Sequence, residues 1–395
     1  MTLFLLSFRK KYAIYAVAAI HSLALLLVCY AFWNIPYTFS SESGFIKYFN
    51  VLGKLLYQSI DTHENLVVVN VAYDRELVEI HDEIGIPAGN IDITDRAKLM
   101  DFFRYINKQN NHNYILCDVF FDSKLTTVYD DSLFFLMANT PRLVVPKHQF
   151  GSPLPSALAG KSAFADFKTN IVENNLLKYQ FIQHREKSLP LYIWMEITGS
   201  VFERRGLRYL INGQTVTNSV ILDFPVKIDG AYASDGTKNY YNLGSDLLEF
   251  LQVNNSDDFF KDKFVIIGDL SEKDIHQTVA GIIPGALINY NAYLALLKGK
   301  VKTPFMLWCV MFFVFYFTSL YIAGKRLNIL KIKMLKSDLI RFAFNLLGFS
   351  FILLLINLFV FFVWGRFVEI FLFSGYFALI NTILELRTLL KNKSL

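Results

Sequence analysis

Three aspartates, Asp74, Asp122 and Asp269, each stand just after a run of residues that reads as a buried strand. In open α/β sheets ligands bind in the crevice beyond the carboxyl ends of the strands. Carboxylates gathered there attract Mg²⁺, Ca²⁺ or a cationic ligand. The simpler reading, and the favoured one, is that each caps the helix or turn that follows it. Asp118 differs, because it lies inside the apolar run 114–121. A carboxylate buried there needs hydrogen bonds or a cation, unless the strand is an edge with that face in water. His63, His81, His112 and His184 show no metal-ligand spacing and read as solvated loop residues. The chain has no Gly-x-Ser-x-Gly elbow, no Gly-x-x-x-x-Gly-Lys loop and no His-Glu-x-x-His pair. No enzyme activity, cofactor or resident metal is expected from it.

The elements that must position these groups follow from periodicity. Residues 66–72 (Leu-Val-Val-Val-Asn-Val-Ala) are apolar almost without alternation, as in a strand covered on both faces. Residues 114–121, 143–145 and 263–269 read the same way. Helices are predicted from an N-cap at Thr94 through Lys108, over 130–138, over 188–202 and over 284–297. Alternation of strand and helix predicts an α/β domain with a mainly parallel sheet and flanking helices, in which the strands at Leu66, Tyr114 and Lys263 are neighbours. Residues 215–224 read as a strand and 229–244 as loop. No register is assigned over 150–260. A helical stripe of Phe45, Ile46, Phe49, Leu52, Leu55 and Leu56 is expected to pack beside the 284–297 helix. Cys29 and Cys309 fall in long apolar stretches, so Cys117 has no partner for a disulfide within this domain.

The rest of the chain is built for a bilayer. Hydrophobic residues make up 53% of the 395 positions, with 38 phenylalanines among them. That is too apolar for an ordinary soluble protein and too charged for a pure membrane bundle. Four transmembrane helices are predicted, over 12–33, 304–323 and, as a hairpin, 342–364 and 367–386. Arg9, Lys10 and Lys11 precede the first. The 324–341 segment carries Lys325, Arg326, Lys331, Lys333, Lys336 and Arg341, and the 387–395 tail carries Arg387, Lys391 and Lys393. The positive-inside rule places all three flanks in the cytoplasm of a cell (inner) membrane and residues 34–303 outside it. Those outer residues hold 26 basic and 31 acidic side chains, against 13 and 3 elsewhere, so the net charge of +5 reflects topology. A mildly acidic outer domain gives no reason to expect nucleic acid as a partner. Within the membrane, Asn345 and Asn381 are expected to meet in an interhelical hydrogen bond.

Val67 to Asp74 ahead of a Pro-containing loop, Ile115 to Phe121 with its embedded Asp, Lys263 to Gly268, and Ile283-Pro284-Gly285 followed by Asn291-Ala292 are together similar to the CHASE2 sensory domain. The resemblance covers most of residues 40–300, and one membrane helix before with three after is the usual CHASE2 arrangement. It implies an extracytoplasmic sensor and adds Asp274, His276 and Thr278, in the loop after the last strand, to the candidate ligand-binding residues. Asn289 stands where the family usually has a histidine, and Ile86-Pro87 where it has a Trp-Pro-rich segment. CHASE2 receptors commonly continue into a kinase or cyclase after the last helix. Here only short basic segments are expected inside the cell, so output is expected from protein partners. Lys331, Lys333 and Lys336 form the candidate docking surface, the alternative being that their charges only enforce topology or meet anionic lipid, and a homo-oligomer is compatible with the sequence. The competing expectation is a structural or assembly subunit of a cell-envelope complex.

Overall fold

The computed structural model describes residues 2–35, 40–56, 65–81, 84–151, 153–169, 174–227, 239–254, 258–271, 273–324 and 338–393. Lys331, Lys333 and Lys336 lie outside them. The chain divides into two compact units: Met1–Gly53, Arg204–Ile221 and Lys300–Leu395 form one, and Lys54–Glu203 with Leu222–Gly299 the other.

The second unit is organised by a six-stranded parallel sheet. Its strands are β1 (Leu66–Asn70), β2 (Tyr114–Asp118), β3 (Leu143–Lys147), β4 (Ser162–Phe164), β5 (Tyr240–Asn242) and β6 (Phe264–Gly268), in the order β5-β1-β6-β2-β3-β4. β6 pairs with β1 on one side and β2 on the other, so the three strands expected to be neighbours are adjacent. Both faces are covered. Val67, Val69, Ile115, Cys117, Val265 and Ile267 point into a core formed with the helices Arg96–Gln109 and Asp130–Asn139. Alternate residues point the other way, where Phe264 stacks near Tyr290 and Tyr293 of the helix Gly285–Leu297. Burial on both faces is why these strands lack polar alternation.

Local chemistry sets the helix ends. Asp95, not Thr94, caps Arg96–Gln109, accepting from the Lys98 N–H at 3.0 Å. The helix expected over 188–202 is Leu189–Thr198, because Gly199 turns left-handed at φ 66° and stops it. Arg96 is fully buried, its guanidinium 3.7 Å from Asp130 and 4.4 Å from the centre of the Phe121 ring.

The first unit contains the apolar helices Thr2–Asn34, Phe305–Gly324, Asp338–Trp364 and Ile370–Lys393. Three are long and apolar enough to cross a membrane, through Ala13–Asn34, Phe305–Ala323 and Phe342–Trp364. The apolar part of the last, Ile370–Leu386, is shorter. It starts three residues later than expected because Asn357 holds Val368 in a non-helical turn, accepting from its N–H at 2.6 Å and donating to its carbonyl at 2.8 Å. Asn381 does not meet Asn345. It donates at 3.0 Å to Glu385 one turn along its own helix, and Ser350 and Ser374 link the hairpin instead. A further polar joint was not foreseen: His21 lies 2.8 Å from Ser319 Oγ and 2.6 Å from Tyr376 Oη, tying three helices together.

The stripe on Ser40–Leu56 packs within the first unit. Phe49 packs on Phe361 and Phe367, and Phe45 on Phe371, so this amphipathic helix lies on the carboxy-terminal hairpin. In the same unit the predicted 215–224 strand is broken. Gln214–Val216 and Ser219–Ile221 are separate because Thr217 and Asn218 donate their N–H groups to the Val301 carbonyl and the Asn34 side chain. Arg366 is buried at the hairpin turn and donates to the carbonyls of Ser219 and Lys300 at 3.1 and 2.7 Å.

Candidate functional site

A cavity of about 700 Å³ opens in the second unit beyond the carboxyl ends of β2, β3, β4 and β6. That is the place a parallel sheet makes available, since the chain leaves each strand there and the helices diverge. Asp118, the last residue of β2, lines it. β2 is interior to the sheet, so the edge alternative for Asp118 does not apply. Burial and then the neighbouring Asp274 carboxylate push its acid up to about 7, against the pull of His148, Asn289 and His276. Asn289, on the helix that starts at Gly285, donates to Asp118 over 3.4 Å. Its carbonyl accepts from the Tyr179 hydroxyl at 2.8 Å, which leaves the amide N–H₂ for Asp118.

Two carboxylate–imidazole pairs also line the cavity. His276 Nε2 is 2.8 Å from Asp274, and its ring meets Phe167 edge-on with centres 4.7 Å apart. His148 Nδ1 is 2.6 Å from Asp166, and Phe120 lies 5.8 Å from its ring centre. Each imidazole therefore has an acid on one side and a phenyl ring on the other. A Cβ on Gly285 would come within 2.4 Å of the Asp274 carboxylate, so the close approach of helix and loop depends on that glycine.

The remaining sequence-derived residues separate clearly. Asp269 lines the cavity, ion-paired to Arg75 and accepting from Ser271 N–H at 3.1 Å. Asp122 also lines it and accepts from Lys124 N–H at 2.8 Å, closing a turn. Asp74 is not part of the lining. It is buried between Lys98 Nζ at 2.7 Å and the Gly244 N–H at 3.1 Å, where it braces the loop at Gly244 against the Arg96–Gln109 helix. Thr278 also lies outside the lining and bonds the Gly281 carbonyl in a hairpin turn. His112 is buried rather than solvated and lies 2.9 Å from the Pro141 carbonyl.

Sequence reasoning missed His148, Asp166, Phe120 and Phe167. His148 directly follows β3, so the strand-end rule that selected Asp122 applies to it as well. Asp166 and Phe167 follow β4, which lies where no register could be assigned.

Among the described residues, no three His, Cys, Asp or Glu side chains are placed to hold one metal ion; the donors are gathered in pairs. The arrangement suits recognition of a small molecule by charge and hydrogen bonding. A profile of the CHASE2 domain matches residues 26–324. The chain belongs to the CHASE2 family. No curated protein and no solved structure matches it. CHASE2 is a sensory module and not a catalytic one. The match extends from the first membrane-type helix to the end of the second, which joins the sheet domain and its anchors in a single family unit.

Proposed function

We propose that this CHASE2 chain is a membrane-anchored extracytoplasmic sensor that binds a small molecule in the strand-end cavity and acts through partner proteins. The observation that carries the proposal is the cavity itself, about 700 Å³ with Asp118 in its wall and two acid–imidazole pairs beside it. Its volume falls in the range of small-molecule sites, about 300–1,000 Å³. The basic flanks support a topology with both ends and the 324–341 segment in the cytoplasm and residues 34–303 outside. Ile370–Leu386 serves as a fourth span, at the lower limit of about 17 residues that a bilayer core requires. Partner docking falls to the basic segment that carries Lys331, Lys333 and Lys336.

Affinity purification in mild detergent tests this reading. The intact chain is expected to bring down a partner chain, and a variant with Lys331, Lys333 and Lys336 all neutralised to lose it while still inserting. If no partner is recovered and the isolated chain shows an activity of its own, the proposal fails. A cavity-blocking Asp118→Leu variant that keeps both partner and cellular phenotype would instead favour an assembly subunit.

A further inference from the structure

The cavity's charges define what it can hold. Six carboxylates line it: Asp92, Asp118, Asp122, Asp166, Asp269 and Asp274. Two permanent cations answer them, Arg75 beside Asp269 and Lys273 beside Asp92. The imidazoles of His148 and His276 occupy Asp166 and Asp274, and Asp122 accepts from a backbone N–H. Asp118 is left with the least. The hydrogen bond its side chain receives among the described residues comes from Asn289 at 3.4 Å, the long end of the range. A half-buried carboxylate with one weak donor, next to a second carboxylate, is costly until a cation arrives.

The rest of the lining decides what kind of cation. Among the described residues, no set of three acidic, imidazole or thiol ligands is placed to chelate a metal, and the space far exceeds a bare ion. Phe120 and Phe167 present phenyl rings, and Ile91, Leu125 and Pro146 add apolar surface. Aromatic faces attract ammonium groups and cover hydrocarbon equally well. An anionic ligand would meet an excess of negative charge.

We propose that the cavity takes an organic ammonium ion, a protonated amine with an apolar group, its N–H donated to the Asp118 carboxylate and its carbon skeleton against Phe120 and Phe167. This inference rests on the sensory reading of the cavity and names its ligand class. Asn289, fixed by Tyr179, then acts as a positioning residue for Asp118.

Calorimetric titration of the full chain in detergent with three probes of one skeleton tests it: 2-phenylethylammonium, 2-phenylethanol and phenylacetate. The ammonium ion is expected to bind at least about tenfold more tightly than either of the others, the scale of one charge-assisted hydrogen bond. Asp118→Asn keeps the shape and relieves the buried charge, so it should fold. It should lower ammonium affinity at least about tenfold and leave the alcohol unchanged. Phe167→Leu should weaken ammonium and alcohol together, several-fold. No ammonium binding, phenylacetate binding as tightly, or full affinity in Asp118→Asn would each overturn the proposal. Those failures would leave partner recovery intact, whereas failure of the sensory reading would appear in the purification.

Discussion

Asp130→Ala should be among the most damaging single substitutions in the sheet domain, costing about 3–5 kcal/mol of unfolding free energy. Asp130 lies 3.7 Å from the guanidinium of Arg96, which is 1% exposed. Removing the carboxylate leaves a buried cation without the acid its burial depends on. The same carboxylate accepts from the N–H and hydroxyl of Thr127, both at 3.1 Å, and so also fastens the start of the Asp130–Asn139 helix. Adding Arg96→Met to the alanine variant should recover roughly 2 kcal/mol, because an apolar side chain of similar length fits beside Phe121 without needing a counter-charge. Denaturant unfolding followed by near-ultraviolet circular dichroism measures both. A cost below about 1 kcal/mol for Asp130→Ala, or a double variant less stable than the single, would contradict this account of the pair.

The second large effect concerns Asp118 and pH. In the folded chain it keeps its proton up to about pH 7, because burial and Asp274 disfavour the anion. In the unfolded chain it loses the proton near pH 4. Between these values the folded state binds more protons, so stability falls as pH rises and levels off above pH 7. Asp118→Asn removes the titration. The variant should match the wild type near pH 4 and exceed it at pH 8 by on the order of 2 kcal/mol, allowing for solvent in the cavity. The comparison uses unfolding at pH 4, 6 and 8. An asparagine variant less stable than wild type at pH 8 would mean that the ionised carboxylate is stabilised by groups other than those described.

Much of the fold could be read in the chain because its physics is local. Continuous apolar runs at Leu66, Tyr114 and Phe264 report burial on both faces, and the adjacency of those strands follows from strand–helix alternation. The strands over 150–260 are two to four residues long, too short for a local period to mark them. The strand-end rule selected Asp122 and Asp269 but could not exclude Asp74, whose bond to Gly244 spans 170 positions. Nor could it assemble Asp166 with His148 or His276 with Phe167. Those pairings depend on loops that converge only once the sheet has formed. In the membrane unit, polarity alone suggested that Asn345 and Asn381 would bond. The outcome was set by rotation: Asn381 faces Glu385 on its own helix, and the link across the hairpin fell to Ser350 and Ser374.

A cavity open to the outside of the cell is within reach of a reagent that cannot cross the membrane. Thr169 lies on the cavity lining. Among the native cysteines, Cys117 is fully buried with its thiol pushed up to about 12, so the unsubstituted chain gives a low background from the sheet domain. Thr169→Cys in intact cells is treated with a membrane-impermeant maleimide. Thr169→Cys should be labelled as completely before permeabilisation as after it, with the unsubstituted chain unlabelled. Labelling that appears only after permeabilisation would place the cavity in the cytoplasm and overturn the proposed extracytoplasmic sensor.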